Sequence, residues 1–223
     1  MSIEEYFGEW LKIINTKDIL QIIKKVLPLY QKSKISPKYE DIFKAFRLCP
    51  YRKLKAVFLG QDPYPQMDVA TGLAFGNKKG KSDLSPSLQI LKDACTENAP
   101  AYSVIDFDET LESWSKQGIL LLNSALTVEV GKVGSHMMLW RPFIANLLVN
   151  LSKQETGIVY VLFGEKAQTF SPYINKSFND VVLTKHPAYY VRTHTSMPAS
   201  LFVDINELII GKYGKPFKWY NII

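Results

Sequence analysis

The chain has 223 residues, with 27 Lys and Arg against 21 Asp and Glu, a formal charge of +6, 47% hydrophobic residues and 22% charged ones. That length suits one sizeable domain or two small ones, and the apolar content excludes a disordered chain. The mild basic excess permits a polyanionic partner without demanding one, as many enzymes are slightly basic.

In chain order, Ser2 followed by Glu5 is a capping-box pattern ahead of an apolar-periodic stretch. Ile19, Ile22, Ile23, Val26 and Leu27 recur at helical spacing over 18–31, and a second short helix is expected over 37–47, with Ser36 as its cap and Pro37 in its first turn. From about Leu54 short apolar runs alternate with helical patterns. The runs 56–59, 119–122, 158–163 and 181–183 read as buried strands, with helices near 86–97, 108–116, 140–153, 165–170 and 199–210. Continuous apolar strands separated by helices indicate an α/β fold, with a central, mostly parallel four-stranded sheet flanked by helices on both faces. No repeat or long linker divides the chain. The expectation is one domain over 1–223, with an N-terminal helical part (1–50) and an α/β core (51–223).

Cys49 and Cys95 are the only cysteines and form no CxxC, which argues against a disulfide framework and a standard structural zinc site. The start Met1-Ser2-Ile3-Glu4-Glu5 lacks the layout of a signal peptide, and no apolar run is long enough to span a bilayer. A cytoplasmic monomer without membrane contact is expected.

Each strand is followed by polar or turn-forming residues: Gly60-Gln61-Asp62-Pro63-Tyr64, Asn123-Ser124, Gly164-Glu165 and Lys185-His186-Pro187. Ligands of open parallel sheets bind beyond the carboxyl ends of the strands, so Asp62, Asn123 and His186 should converge on one pocket. No Ser or Cys sits on a Gly-flanked elbow. The stretch Gly76-Asn77-Lys78-Lys79-Gly80-Lys81 lacks the context of a P-loop. Three dispersed histidines (136, 186 and 194) make a poor metal site, so neither metal nor cofactor is expected. A carboxylate, an imidazole and an amide suit the breaking of a bond whose transition state separates charge.

Gly60-Gln61-Asp62-Pro63-Tyr64, Thr71-Gly72-Leu73-Ala74-Phe75, Ser85-Pro86-Ser87-Leu88, the run from Leu120 through Asn123 to Val128, and His186-Pro187 resemble family 1 uracil-DNA glycosylases in order and spacing. Weaker matches at Gly164, Ala167-Gln168, Asn206-Glu207-Leu208 and Gly214-Lys215-Pro216 extend the resemblance over roughly 45–220. It implies hydrolysis of the N-glycosidic bond of deoxyuridine in DNA, leaving free uracil and an abasic site. It makes Asp62 the catalytic carboxylate that stabilises the sugar cation and orients water, and His186 the donor to uracil O2. It assigns Asn123 to uracil O4 and N3–H, Tyr64 to exclusion of a C5 methyl, Phe75 to stacking, and the backbone around Gln61 to the developing anion. A base reaches such a pocket only after leaving the stack.

Two places depart from the family pattern. Pro65 follows Tyr64 where the family has His, and Ala188-Tyr189-Tyr190-Val191 replaces Ser-Pro-Leu-Ser. By alignment Tyr190 takes the place of the wedging Leu, and Ala188 and Val191 lose the hydroxyls that grip phosphates. Ser85, Ser124, Ser135, Tyr190 and Arg192 are therefore the residues expected at the DNA, with Lys185, His194 and the Lys78, Lys79 and Lys81 loop supplying charge. The resemblance names uracil-containing DNA, single- or double-stranded, as partner, and a uracil-glycosylase inhibitor protein as a further one. The altered grip motivates one alternative, a glycosylase-fold DNA-binding or scaffold protein with weak or lost catalysis.

Overall fold

The computed structural model describes residues 2–78, 80 and 83–223, so Lys79 and Lys81 lie outside the described residues. α1 (Ile3–Phe7) opens on the expected capping box: Ser2 Oγ accepts from the Glu5 N–H at 3.1 Å, and Glu5 Oε2 accepts from the Ser2 N–H at 2.8 Å. α2 (Thr16–Lys32) buries Ile19, Ile22 and Val26 along one stripe. The helix expected over 37–47 is not continuous. Ser36 lies in β1 (Ile35–Ser36), where its backbone is committed to antiparallel pairing with residues 128–129. A 3-10 turn at Tyr39–Asp41 and the short α3 (Lys44–Leu48) follow instead.

β2 (Ala56–Gly60) starts the core, and α4 (Pro86–Thr96) begins where Ser85 Oγ accepts from the Leu88 N–H. After β3 (Ile105–Asp106), α5 (Glu112–Lys116) starts later than the expected 108, because the Asp108 carboxylate accepts from the Thr110 and Ser113 N–H groups and holds that stretch as a turn. β4 (Ile119–Asn123), β5 (Val128–Glu129), α6 (Met137–Gln154), β6 (Val159–Phe163), α7 (Gly164–Gln168) and β7 (Asp180–Thr184) complete the alternation. α8 (Pro187–Thr193) falls where a loop was expected, for His186 caps it and Pro187 occupies its first turn. α9 (Ser200–Tyr213) and β8 (Asn221–Ile222) close the chain, β8 pairing with β3.

The central sheet runs β4-β2-β6-β7, and every pairing is parallel. Every residue of β2, β4 and β6 is buried, so both faces of these strands are covered, as parallel strands require. β7, at the edge, is only partly buried. The register sets Gly60 beside Asn123 and Phe163 beside Thr184, which brings the segments after four strands to one rim. The N-terminal part is fastened to the core by Trp10, whose Nε1–H is shared between the Phe46 and Cys49 carbonyls at 3.0 and 2.9 Å. Cys49 and Cys95 are free and buried. No helix among the described residues is long and apolar enough to cross a membrane.

Candidate active site

A cavity of about 840 Å³ opens at the carboxyl ends of the strands and is lined by Gln61, Asp62, Tyr64, Phe75, Asn123, His186 and Arg192. The six pocket residues expected from the sequence thus meet in one place. β2 sits between β4 and β6, so successive connections leave it in opposite directions, and such a reversal opens a crevice at the strand ends.

Hydrogen bonds between the loops set the spacing of these groups. The Gln61 carbonyl accepts from Ser124 Oγ at 2.7 Å and from the Ala125 N–H at 3.0 Å, while the Gly60 carbonyl accepts from the Ser124 N–H. The loop carrying Asp62 is thereby tied to the loop that follows Asn123. Gly60 is required at this junction: a Cβ there would lie 2.5 Å from Asn123 Oδ1 and 3.1 Å from the Phe75 ring. Asn123 is 7% exposed, and its amide makes no hydrogen bond among the described residues, so its donor and its acceptor are both available to a ligand. No hydrogen bond from another described side chain orients the amide; the bare Gly60 backbone leaves the space that its Oδ1 fills.

Tyr64 donates its hydroxyl to the Phe75 carbonyl at 2.9 Å, and burial pushes its ionisation far up, so it stays a neutral phenol. Phe75 takes a left-handed backbone (φ 66°), an uncommon setting for a bulky residue, which this bond helps to hold. Its ring meets Phe163 edge-on at 4.9 Å and lies 5.7 Å from the His186 ring.

His186 is anchored from two sides. Its Nδ1 accepts from the Ala188 N–H at 3.1 Å as the cap of α8, so in the neutral ring the proton sits on Nε2. Burial, with the Arg192 charge in support, holds its pKa down to about 4, so the ring is neutral at physiological pH. Gly164, at φ 82°, gives it room, since a Cβ there would come within 2.7 Å of His186 Cβ. Gln168 donates to the Thr184 carbonyl at 2.9 Å and pins the end of β7 just before the histidine.

Asp62 accepts from the Gly134 N–H through Oδ2 at 2.5 Å. Burial raises its pKa, and the Gly134 bond works against that rise. Gly134 is 72 residues away in the chain, and nothing local to Asp62 in the sequence signals this partner. Two residues past Gly134, His136 Nδ1 lies 2.9 Å from the Thr127 hydroxyl, which accepts from Trp140 Nε1–H at 2.7 Å.

The residues expected at the DNA fare differently. Arg192 is exposed and lines the cavity. Ser85 is half-buried as the α4 cap, its Oγ accepting from the Leu88 N–H. Ser124 corrects the expectation: it is fully buried with its hydroxyl spent on Gln61, and it does not reach the surface. Ser135 is exposed, and its Oγ accepts from the Glu129 N–H. Tyr190 is also a correction. At 9% exposure it belongs to the core and packs edge-on against Tyr189, because the helical turn of α8 carries residue 190 inward. Tyr189 lines the cavity instead, with Lys185 Nζ 3.8 Å over its ring. Glu165 and Lys166, which follow β6, and Ser87 line it too. The strand-end rule that found Asp62 and His186 points equally to the first two.

The model of the Uracil DNA glycosylase superfamily matches residues 46–209. A uracil-DNA glycosylase of Clostridium perfringens (strain ATCC 13124) is 33% identical over 201 residues, spanning 90% of this chain and 88% of that protein. One from Francisella tularensis subsp. novicida is 33% identical over 186 residues, spanning 83% and 84%. The crystal structure of mimivirus uracil-DNA glycosylase superposes with a TM-score of 0.74 at 21% identity, covering 97% of this chain and 91% of that one. A mimivirus UNG variant in complex with UGI gives the same TM-score at 22% identity, covering 98% and 94%.

Proposed function

The chain belongs to the uracil DNA glycosylase superfamily, and on that premise we propose the reaction and the roles of its residues. The protein is a hydrolase that cleaves the N-glycosidic bond of deoxyuridine in DNA, releasing uracil and leaving an abasic site, as expected from the resemblance. The finer placement in family 1 is our reading, supported by Gly60-Gln61-Asp62-Pro63-Tyr64 and Leu120-Leu121-Leu122-Asn123.

As the glycosidic bond stretches, the sugar gains oxocarbenium character and the base becomes an anion. Asp62, beside the sugar, stabilises the cation and orients the attacking water. His186 stays neutral and donates from Nε2 to uracil O2, where charge accumulates; a preorganised donor is worth most where charge develops. Asn123 offers one donor and one acceptor to O4 and N3–H. Tyr64, locked on the Phe75 carbonyl, leaves no room for a methyl at C5, and Phe75 stacks on the base. Water attacks the anomeric carbon as the uracil anion leaves, and its proton passes to Asp62.

The carrying observation is the Ala188 N–H on His186 Nδ1, which leaves Nε2 as the protonated nitrogen of a neutral ring in the same cavity as Asp62 and Asn123. We further read residues 1–223 as one domain and the protein as a cytoplasmic monomer. A protein inhibitor is a proposed partner, motivated by the UGI complex of the mimivirus relative. The test is release of uracil from labelled single- and double-stranded oligonucleotides, with Asp62→Asn alongside. Abasic product with the wild type and its loss in the variant is expected. Absence of product from both substrates would favour the non-catalytic DNA-binding alternative.

A further inference from the structure

Val133 lines the cavity and is 64% exposed, an apolar side chain in a lining whose exposed charges are Lys166, Lys185 and Arg192 against the single exposed carboxylate of Glu165. A lone exposed valine is ordinary. This one stands on a turn built to hold still. Gly131 (φ 80°) and Gly134 (φ 78°) bracket it with left-handed backbone. The Gly131 N–H donates to the Pro65 carbonyl at 2.9 Å, the Lys132 N–H to the Glu129 carbonyl at 2.9 Å, and the Ser135 N–H to the Lys132 carbonyl at 3.1 Å. Lys132 and Glu129 also form an ion pair at 2.7 Å. The next amide along, that of Gly134, is the one that holds Asp62.

An apolar tip among cations matches a DNA strand, whose phosphates meet the cations while its deoxyribose presents carbon. We propose that the turn 131–134 is a further DNA contact, in which Val133 packs against the sugar of the nucleotide beside the extruded one and Gly134 transmits that contact to Asp62. The inference rests on the excision reading and deepens it. Val133 is a positioning residue here, acting on the reaction through Gly134 and the carboxylate. Because the turn is held, a strand packed on Val133 is set at a fixed position relative to Asp62, which the same turn holds through Gly134.

The prediction separates long substrates from short ones. Uracil release is measured for the wild type, Val133→Ser and Val133→Ile on a long single strand and on deoxyuridine carrying only a phosphate on each side. Val133→Ser should lower kcat on the long strand about tenfold, since small misplacements of a reacting group are costly. It should leave the short substrate within about twofold, and Val133→Ile should restore the long-strand rate. Unchanged melting of the variant is expected, because the side chain is exposed. Equal activity of Val133→Ser and wild type on the long strand would overturn the proposal. So would an equal loss on both substrates, or a rise in KM with kcat unchanged, which would mean contact without transmission. If the wild type released no uracil from either substrate, the excision reading itself would fall, and this inference with it.

Discussion

The proposed base pocket and the proposed DNA-facing rim lie within one cavity but are built on different principles. Pocket groups sit at strand ends, packed by parallel register against two glycines, Gly60 and Gly164, where an added Cβ would come within 2.7 Å of Asn123 or His186. Rim groups sit on α8 and on the turn 131–134, largely exposed, and their direction depends on helical phase and tight-turn geometry. Chemistry resides where the scaffold is stiff, and affinity resides where it can tolerate change. Altering the pocket should therefore cost about 10²-fold or more, and altering the rim about tenfold or less.

The largest expected effect is at Asp62. Asp62→Asn keeps the shape but removes the charge opposite the sugar cation, and single-turnover uracil release should fall by about 10²–10³-fold. His186→Gln comes next, at about 10²-fold for the loss of one aligned donor, measured in the same assay. The histidine also predicts a pH profile. Its pKa is held down to about 4, so the histidine itself should cost no excision between neutral pH and about 5, while Asp62, whose pKa burial raises, adds its own loss as it gains a proton on acidification. The linkage has the matching sign. The unfolded chain binds a proton at His186 near its ordinary pKa and the folded chain does not, so stability should rise with pH between about 4 and the ordinary histidine value. Thermal melting across that window checks it. A profile that breaks near pH 6.5 would show that the ring is not buried as described.

Gly60→Ala tests whether the pocket is as stiff as its register implies. The new Cβ must displace Asn123 Oδ1 or the Phe75 ring. Uracil recognition should weaken by about 1–3 kcal/mol, seen as a lower kcat/KM and weaker inhibition by free uracil. On the rim, Tyr190→Ala should act on stability, lowering it by about 3–5 kcal/mol in a denaturant titration, because its ring is buried in the core. A duplex-specific loss of excision with unchanged stability would restore Tyr190 as the residue that enters the stack.

The same contrast explains what the sequence revealed. Strand runs at 56–59, 119–122, 158–163 and 181–183 match the observed strands within one residue at either end, since unbroken apolar runs report strands covered on both faces for β2, β4 and β6, and the shortest run marks the partly buried edge strand β7. The same logic points to the segments after those runs, where Gln61-Asp62, Asn123 and Lys185-His186 stand, and all of them line the cavity. The rim was not. Alignment to a Ser-Pro-Leu-Ser loop gives residue 190 an outward role, but the local sequence caps a helix at His186, and helical phase turns Tyr190 inward and Tyr189 to the cavity. Ser124 was misread for a related reason: a hydroxyl one residue past the strand end is still inside the protein, and it ties two loops together. Gly134 could not be found at all, because its bond to Asp62 crosses 72 residues and leaves no local pattern.

Arg192 offers the smallest and most discriminating test, because it faces both regions. As a rim cation lining the cavity it should contribute to DNA affinity through counterion release. As a positive neighbour of His186 it also helps to hold that ring neutral. Arg192→Ala should thus do two separable things. The slope of log affinity against log salt on a single strand should become shallower by about 0.7, the share of one phosphate contact. The acid limb of the excision profile should move to slightly higher pH, since His186 loses a repelling charge and protonates sooner, although burial, the larger cause, remains. Lys185→Ala should share the first effect, by the same slope change, and lack the second, because Lys185 lies over Tyr189 and is not among the charges that depress His186. If both variants shift the acid limb alike, the pocket senses the general field of the rim, and the division between a stiff chemical region and a tolerant binding one is weaker than the geometry implies. If only Arg192→Ala shifts it, one side chain joins the two regions, and the +6 charge contributes to excision at that point as well as to attraction of the strand.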